Sequence, residues 1–347
     1  MRIGILGSYG EFNKFSGEGV KRYSYELYNN LNNKSINKIA NIIKLETNLP
    51  LGIIPSFLIE NSFRKFSDFD IIHSTGQRIF FPLNKGKCKI MVTAHDFRPL
   101  LDPIWRIEVG NGIKNKIYSE LGVMGMHQSL KFDYISADSM QTKDEAVRLG
   151  FNRNNISVVN LGVDRRYFSR ASKHIKKQKF VVGYVGSFAI HKNVKFLVNS
   201  VKHMNKNIIF NLWGNKNQEF NNLNKLSLKY QNIKFMGFAP ENKIVQIYDS
   251  FDVFVFPSLY EGFGLPILEA QARGLPVIIY KRGRISNEVR KYCFEAEDEA
   301  HMAQIIESLK ENGYNKKLKR KATEYARSFT WEKCAKETLQ IYQKLIR

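Results

Sequence analysis

Short apolar runs rich in β-branched and aromatic residues alternate along this chain with stretches of helical spacing. The clearest unit lies late in the sequence. Val253–Phe256 reads as a buried strand, stopped by Pro257. A loop with Gly262 and Gly264 follows, and Pro266 sits where the first turn of a helix starts. That helix is predicted from Ile267 to Arg273, with Gly274 as its cap before a second apolar run, Pro276–Tyr280. Strand, glycine loop, helix and strand make one βαβ unit, and the loop lies at the carboxyl end of its first strand. Ligands of open α/β sheets bind there. Glu261 and Glu269 flank the free N–H groups expected at the helix start, which points to a ligand bearing both phosphate and hydroxyl groups.

The N-terminal half has the same rhythm. Arg2–Leu6 is predicted as the first strand, and Gly19–Leu31 as a helix with Tyr23, Leu27 and Leu31 on one face. Gly17 and Gly19 lie between them, but Arg22 stands where a dinucleotide fingerprint needs its third glycine. The glycines also come some ten residues after the strand, which argues against a dehydrogenase. Asp70–His73 and Ile90–Asp96 read as further strands. Asp68 and Asp70 form a D-x-D pattern that precedes its strand, so it reads as a solvated strand entry and not a metal site. His95 closes a strand and is followed by Asp96, a place from which it can bind a sugar hydroxyl or stabilise developing charge. Ile104–Lys131 has helical character interrupted by Gly110, Gly112, Gly122 and Gly125. Tyr134–Ser139 and Ile156–Val159 are predicted strands, with a helix Thr142–Leu149 between them. Arg165–Lys179 is polar and basic without apolar periodicity, as an interdomain linker is.

The alternation restarts at Val181–Gly186, with strands predicted at Ile208–Trp213 and Ile233–Met236 and a helix whose apolar face is Val194, Leu197, Val198 and Val201. Lys192, before that helix and after a strand and loop, is placed to meet phosphate as a point charge. Amphipathic helices are predicted at Met302–Leu309, Asn315–Ser328 and Trp331–Ile346. A chain of 347 residues in this pattern implies an α/β protein with two doubly wound domains.

Composition narrows the class. With 43% hydrophobic and 25% charged residues the chain is an ordinary globular sequence, so disorder is not its default. Cys88, Cys293 and Cys334 have neither zinc nor redox spacing, which fits a reducing, cytoplasmic setting. No apolar run approaches a membrane span, and the opening residues read as a strand and not as a signal peptide. The net charge of +22 is spread over both halves. Its densest spots are Lys85, Lys87 and Lys89, the stretch Lys173–Lys179, and Lys316–Lys321. A solvated lysine-rich surface explains it, and so does attraction to an anionic membrane; nucleic acid is not the expected partner.

Pro257–Ala270, with its two glutamates eight positions apart, resembles the E-x7-E signature of the family 4 retaining glycosyltransferases of the GT-B fold. Supporting matches are Gly17 and Gly19, His95-Asp96, Gly162-Val163-Asp164, Gly186 with Lys192-Asn193, Gly274-Leu275-Pro276-Val277 and Phe329-Thr330-Trp331-Glu332. The resemblance implies two Rossmann-like domains facing across a cleft: residues 1–165 on the acceptor side, a linker 166–179, a nucleotide-sugar domain 180–328, and a terminal helix 329–347 that crosses back. It implies transfer from a nucleotide diphosphate sugar, with retention and without a cofactor or metal. Glu269 would bind ribose hydroxyls and Glu261 the transferred sugar. The N–H groups of Phe263, Gly264 and Leu265 would meet the sugar and diphosphate. Lys192 would neutralise the leaving group, Gly17 and Gly19 would approach the donor, and His95 would reach the transferred sugar. Gly186 and the loop after it complete the implied donor site. Ser187 and His191 stand where many members carry an arginine, so the second phosphate cation must be His191 or an arginine from elsewhere. Leu161 replaces a common Asn, and Asn287 a common Pro.

Two other readings fit the same residues: a GT-B-fold sugar-nucleotide epimerase, and a non-catalytic basic protein for membrane or nucleic-acid contact. The acceptor class stays open between a saccharide and a polyprenyl or other lipid-phosphate-linked sugar at the cytoplasmic face of a membrane.

Overall fold

Every paired strand among the described residues runs parallel to its neighbour, as the alternation of strand and helix demands. The computed structural model describes residues 1–7, 19–33, 36–46, 60–77, 81–102, 105, 113–169, 179–205, 207–215 and 218–347. They fall into two compact units, Met1–Gly162 with Trp331–Arg347, and Val163–Thr330.

The first unit is built on a six-stranded sheet. Its strands are β1 (Arg2–Gly7), β2 (Asn41–Glu46), β3 (Ile71–Ser74), β4 (Lys89–Ala94), β5 (Tyr134–Ala137) and β6 (Ile156–Val158), ordered β2-β1-β3-β4-β5-β6. The order reverses between β1 and β3, which makes that junction the ligand-binding switch point of such a sheet. The helix Gly19–Leu31 buries Tyr23, Leu27 and Leu31, the residues its spacing singles out. The terminal helix Trp331–Ile346 packs against it and buries Trp331, Cys334, Leu339 and Tyr342. A buried hydrogen-bonded chain joins both helices to the sheet. The Tyr23 hydroxyl and Thr93 Oγ1 are 2.8 Å apart, Thr93 Oγ1 and His73 Nε2 are 2.7 Å apart, and His73 Nδ1 and the Tyr342 hydroxyl are 2.6 Å apart. Burial pushes His73 down to about 3, so this imidazole stays neutral and bridges two hydroxyls.

Strand β2 is absent from the periodicity reading. It is an edge strand that buries only Ile42 and Leu45, three positions apart, so it shows no alternation. The helix Ile113–Ser129 runs through Gly122 and Gly125 without a break, because tertiary packing outweighs the roughly 1 kcal/mol that each helical glycine costs. Gly110 and Gly112 lie outside the described residues. Asp70 receives the Arg2 N–H at 2.7 Å and Asp68 pairs with Lys65, so both aspartates serve the strand entry.

The second unit repeats the architecture with β7 (Phe180–Val185), β8 (Ile208–Trp213), β9 (Ile233–Gly237), β10 (Val253–Phe256), β11 (Val277–Tyr280) and β12 (Phe294–Ala296), ordered β12-β11-β10-β7-β8-β9. Here the order reverses between β10 and β7. Arg165–Phe168, the start of the polar basic stretch, forms a 3-10 turn capped by Asp164, with Tyr167 buried. The turn is held within this unit by Arg166, which pairs with Glu241, and by Arg273, whose guanidinium donates to the Tyr167 and Ser169 carbonyls and grips Asp249 with two bonds of 2.7 and 2.9 Å. Among the described residues, no helix is long and apolar enough to cross a membrane.

Candidate active site

The switch point of the second sheet sets the site. Parallel pairing of β7 with β10 brings their carboxyl ends together, so the loops after them leave the sheet side by side. The loops are then stitched to each other. The Leu259 N–H donates to the His191 carbonyl at 2.7 Å, and the Asn193 side chain donates to the Pro257 carbonyl at 3.2 Å. A third loop joins from β11: the Glu261 N–H donates to the Arg284 carbonyl and the Arg284 N–H to the Leu259 carbonyl, both at 2.8 Å. The backbone carrying Glu261 is therefore held from both sides.

Across this joint Lys192 Nζ donates to Glu261 Oε1 at 2.6 Å, with the two side chains 18% and 12% exposed. The pair is part-buried, so each charge needs a counter-charge and Glu261 supplies the one Lys192 has here. The ammonium also lies 5.6 Å from the centre of the Phe256 ring.

The helix Leu265–Ala272 starts at this loop, two residues earlier than its apolar pattern predicts, with Pro266 in its first turn. Gly264 is its N-cap at φ +102, a left-handed conformation that a side chain rarely adopts, and a Cβ there would sit 3.3 Å from Val289. The N–H groups of a helix's first turn have no intrahelical acceptors, so the turn offers them as anion ligands. Phe263 anchors the loop: its ring is buried edge-on against Phe329, and its carbonyl takes the Ser286 hydroxyl at 3.1 Å. Leu265 opens the helix itself.

Glu269 lies one turn further on. It is buried, and its Oε2 accepts the Tyr248 hydroxyl at 3.0 Å. Sequence reasoning missed Tyr248, which lies on the short helix Ile244–Asp249 and carries no motif of its own. Tyr248→Phe removes a buried donor from a carboxylate and is expected to cost about 1–3 kcal/mol of stability, read as a lower urea midpoint. An unchanged midpoint would show that Glu269 does not depend on this bond.

After β7, the Gly186 N–H donates to the Trp213 carbonyl at 3.0 Å, and the Ser187 carbonyl accepts the Tyr184 hydroxyl at 2.6 Å. Ser187 is exposed, and His191 and Lys192 follow in the same loop. Arg284, bridged to Tyr260 in the strand-like pairing and lying 5.1 Å over its ring, is an exposed arginine attached to the Glu261 loop. No sequence motif singles it out.

In the first unit, Gly19 begins its helix with open space around its Cα, and Gly17 lies outside the described residues. His95 follows β4, with its N–H on Gln77 Oε1 at 3.1 Å. Its Nε2 donates to the Thr75 carbonyl at 2.9 Å, and its Nδ1 lies 3.5 Å from Asp138 Oδ2. In this orientation both ring nitrogens face groups of the protein.

The basic clusters differ in kind. Lys85 and Lys89 both pair with Asp133. Lys316, Lys317, Lys319, Arg320 and Lys321 lie exposed on the helix Lys316–Arg327. Residues 173–178 are outside the described residues. No group of three or more metal-ligating side chains occurs among the described residues.

Residues 166–329 match the family described as Glycosyl transferases group 1. The O-antigen chain mannosyltransferase B of Escherichia coli is 32% identical over 116 residues, 33% of this chain and 30% of that protein. The chain spans between 30% and 63% of the length of the first relatives it matches. Among solved structures, sucrose-phosphate synthase from Thermosynechococcus elongatus superposes with a TM-score of 0.76 at 18% identity, covering 99% of this chain and 98% of the other. HepE of Anabaena, solved in complex with UDP-glucose, gives 0.71 at 16% identity, covering 99% and 100%. The fold is GT-B, an α/β fold of two domains. The family match and the relatives support a glycosyltransferase of that fold.

Proposed function

We propose that the protein is a retaining glycosyltransferase. It moves a hexosyl group from a nucleotide diphosphate sugar to a hydroxyl of a saccharide or of a lipid-phosphate-linked acceptor. The observation that carries the reading is the pairing of Lys192 with Glu261 beside the Gly264-capped helix that bears Glu269. A lysine cation, a bank of backbone donors and two carboxylates are thereby gathered at one switch point. HepE's complex with UDP-glucose supports the nucleotide sugar as donor.

As the bond between anomeric carbon and diphosphate breaks, negative charge builds on the phosphate oxygens. Lys192 and the N–H groups of Phe263, Gly264 and Leu265 are fixed donors that stabilise it, and these groups serve in place of a metal ion. The arriving diphosphate takes Lys192 from Glu261, and the carboxylate released becomes an acceptor for hydroxyls of the transferred sugar. Glu269, held by Tyr248, takes the ribose hydroxyls. His191 and Arg284 are the candidates for the second phosphate cation. Gly17, Gly19, Gly186 and Ser187 are proposed to line the donor, and His95 to contact the transferred sugar. The exposed cations of Lys316–Arg327 support a place at the cytoplasmic face of an anionic membrane.

The test is release of nucleoside diphosphate from a panel of nucleotide sugars, with and without saccharide and lipid-linked acceptors. Transfer predicts acceptor-dependent release with the anomeric configuration kept. Isomerisation of the donor without acceptor would identify an epimerase, and binding without either reaction would identify a non-catalytic protein.

A further inference from the structure

His95 is committed at both ring nitrogens. β4 and β5 pair with Ala94 opposite Ala137, so His95 and Asp138 leave the sheet next to each other at its carboxyl edge. A carbonyl only accepts, so the 2.9 Å contact to the Thr75 oxygen puts a proton on Nε2. Nδ1 faces Asp138 Oδ2 at 3.5 Å. Two lone pairs pointed at each other there would repel, so one proton belongs to this second contact as well. It sits on the ring, giving imidazolium and carboxylate, or on the carboxyl, giving a neutral pair; the net charge is the same.

The surroundings hold the arrangement. The Asp138 side chain is 3% exposed, and its Oδ1 takes the Thr142 hydroxyl at 2.9 Å. Burial pushes the Asp138 carboxyl upward, opposed by the His95 ring and the Thr142 hydroxyl and reinforced by Asp96. Tyr23 meets the ring edge-on at 5.0 Å, and burial keeps it an uncharged phenol. His73, which shares Thr93 with Tyr23, is likewise neutral.

We propose that Asp138 is a positioning residue for His95. It fixes the ring's orientation and the protonated Nε2, and it leaves no free lone pair, so His95 acts on the transferred sugar through charge and shape and not as a general base. This rests on the placement of His95 at the donor sugar proposed above.

Asp138→Ala and the isosteric Asp138→Asn test the inference, with 15N spectra of the resting protein and steady-state kinetics as readouts. The His95 signal is assigned by its loss in His95→Gln. Wild-type protein should show His95 with Nε2 protonated and Nδ1 hydrogen-bonded. Asp138→Ala should release the ring to exchange between tautomers, and Asp138→Asn, which retains a polar partner but no shared proton, should keep the Nε2–H form alone. Turnover in Asp138→Ala should fall about 10- to 100-fold, as for loss of one charge-assisted hydrogen bond, with donor KM nearly unchanged. Asp138→Asn should fall between. An unaltered His95 signal in Asp138→Ala, or an effect confined to KM, would overturn the proposal. The spectra need no substrate, so they decide the positioning role even if the protein transfers no sugar, a result that would instead overturn the functional reading.

Discussion

Replacing Lys192 by alanine is expected to lower turnover by roughly 10²–10³-fold and to weaken nucleoside diphosphate binding by about 1.5–3 kcal/mol. Two effects add. The variant loses the cation proposed to meet the leaving group, and it takes the Lys192 charge away from the Glu261 carboxylate, 12% exposed, as the diphosphate arrives. The coupling has its own signature: adding Glu261→Gln to Lys192→Ala should recover part of the lost diphosphate affinity, because the repelling charge is gone. Glu261→Gln alone should bind nucleoside diphosphate at least as well as wild type while transferring slowly, since Lys192 no longer has to leave a carboxylate. Calorimetric titration of the four proteins checks this. Strict additivity would show that the two side chains do not act as one unit.

The largest expected effect on stability is at Asp249. Arg273 has a side chain only 2% exposed, and its charge is met by both Asp249 oxygens. Asp249→Ala strands that guanidinium and should destabilise the protein by about 3–5 kcal/mol, a fall in Tm on the order of 10 °C. The turn Arg165–Phe168 should loosen with it, because Arg273 also holds the Tyr167 and Ser169 carbonyls. Scanning calorimetry and hydrogen exchange at residues 166–169 measure the two consequences. A Tm within 2 °C of wild type, by the same scale, would show that solvent reaches the guanidinium.

What the sequence discloses follows from what it encodes locally. Val253–Phe256, Pro257, the two glycines and Pro266 dictate the strand, its end and the helix start, because each choice acts within a few residues. Gly274 at φ +71 closes the helix for the same reason. Partners set by the sheet are invisible in the sequence. Lys192 and Glu261 are 69 positions apart and meet because β7 lies beside β10. Asp138 stands beside His95 through the register of β4 and β5, a relation that no spacing rule contains. Tyr248 and Asp249 look like the end of an ordinary amphipathic helix, yet one holds Glu269 and the other Arg273. Chemical type was legible at the candidate site, and pairing was not.

The central claim is that the segment from Glu261 to Glu269 binds a nucleotide diphosphate sugar. Its most direct test is titration of UDP, GDP, ADP and dTDP into wild-type protein, and of whichever binds into Glu269→Ala. The account predicts saturable binding by wild type and a loss of at least about tenfold in the variant, the equivalent of 1.4 kcal/mol, as expected when hydrogen bonds to a buried carboxylate disappear. Equal affinity in the two proteins would contradict it.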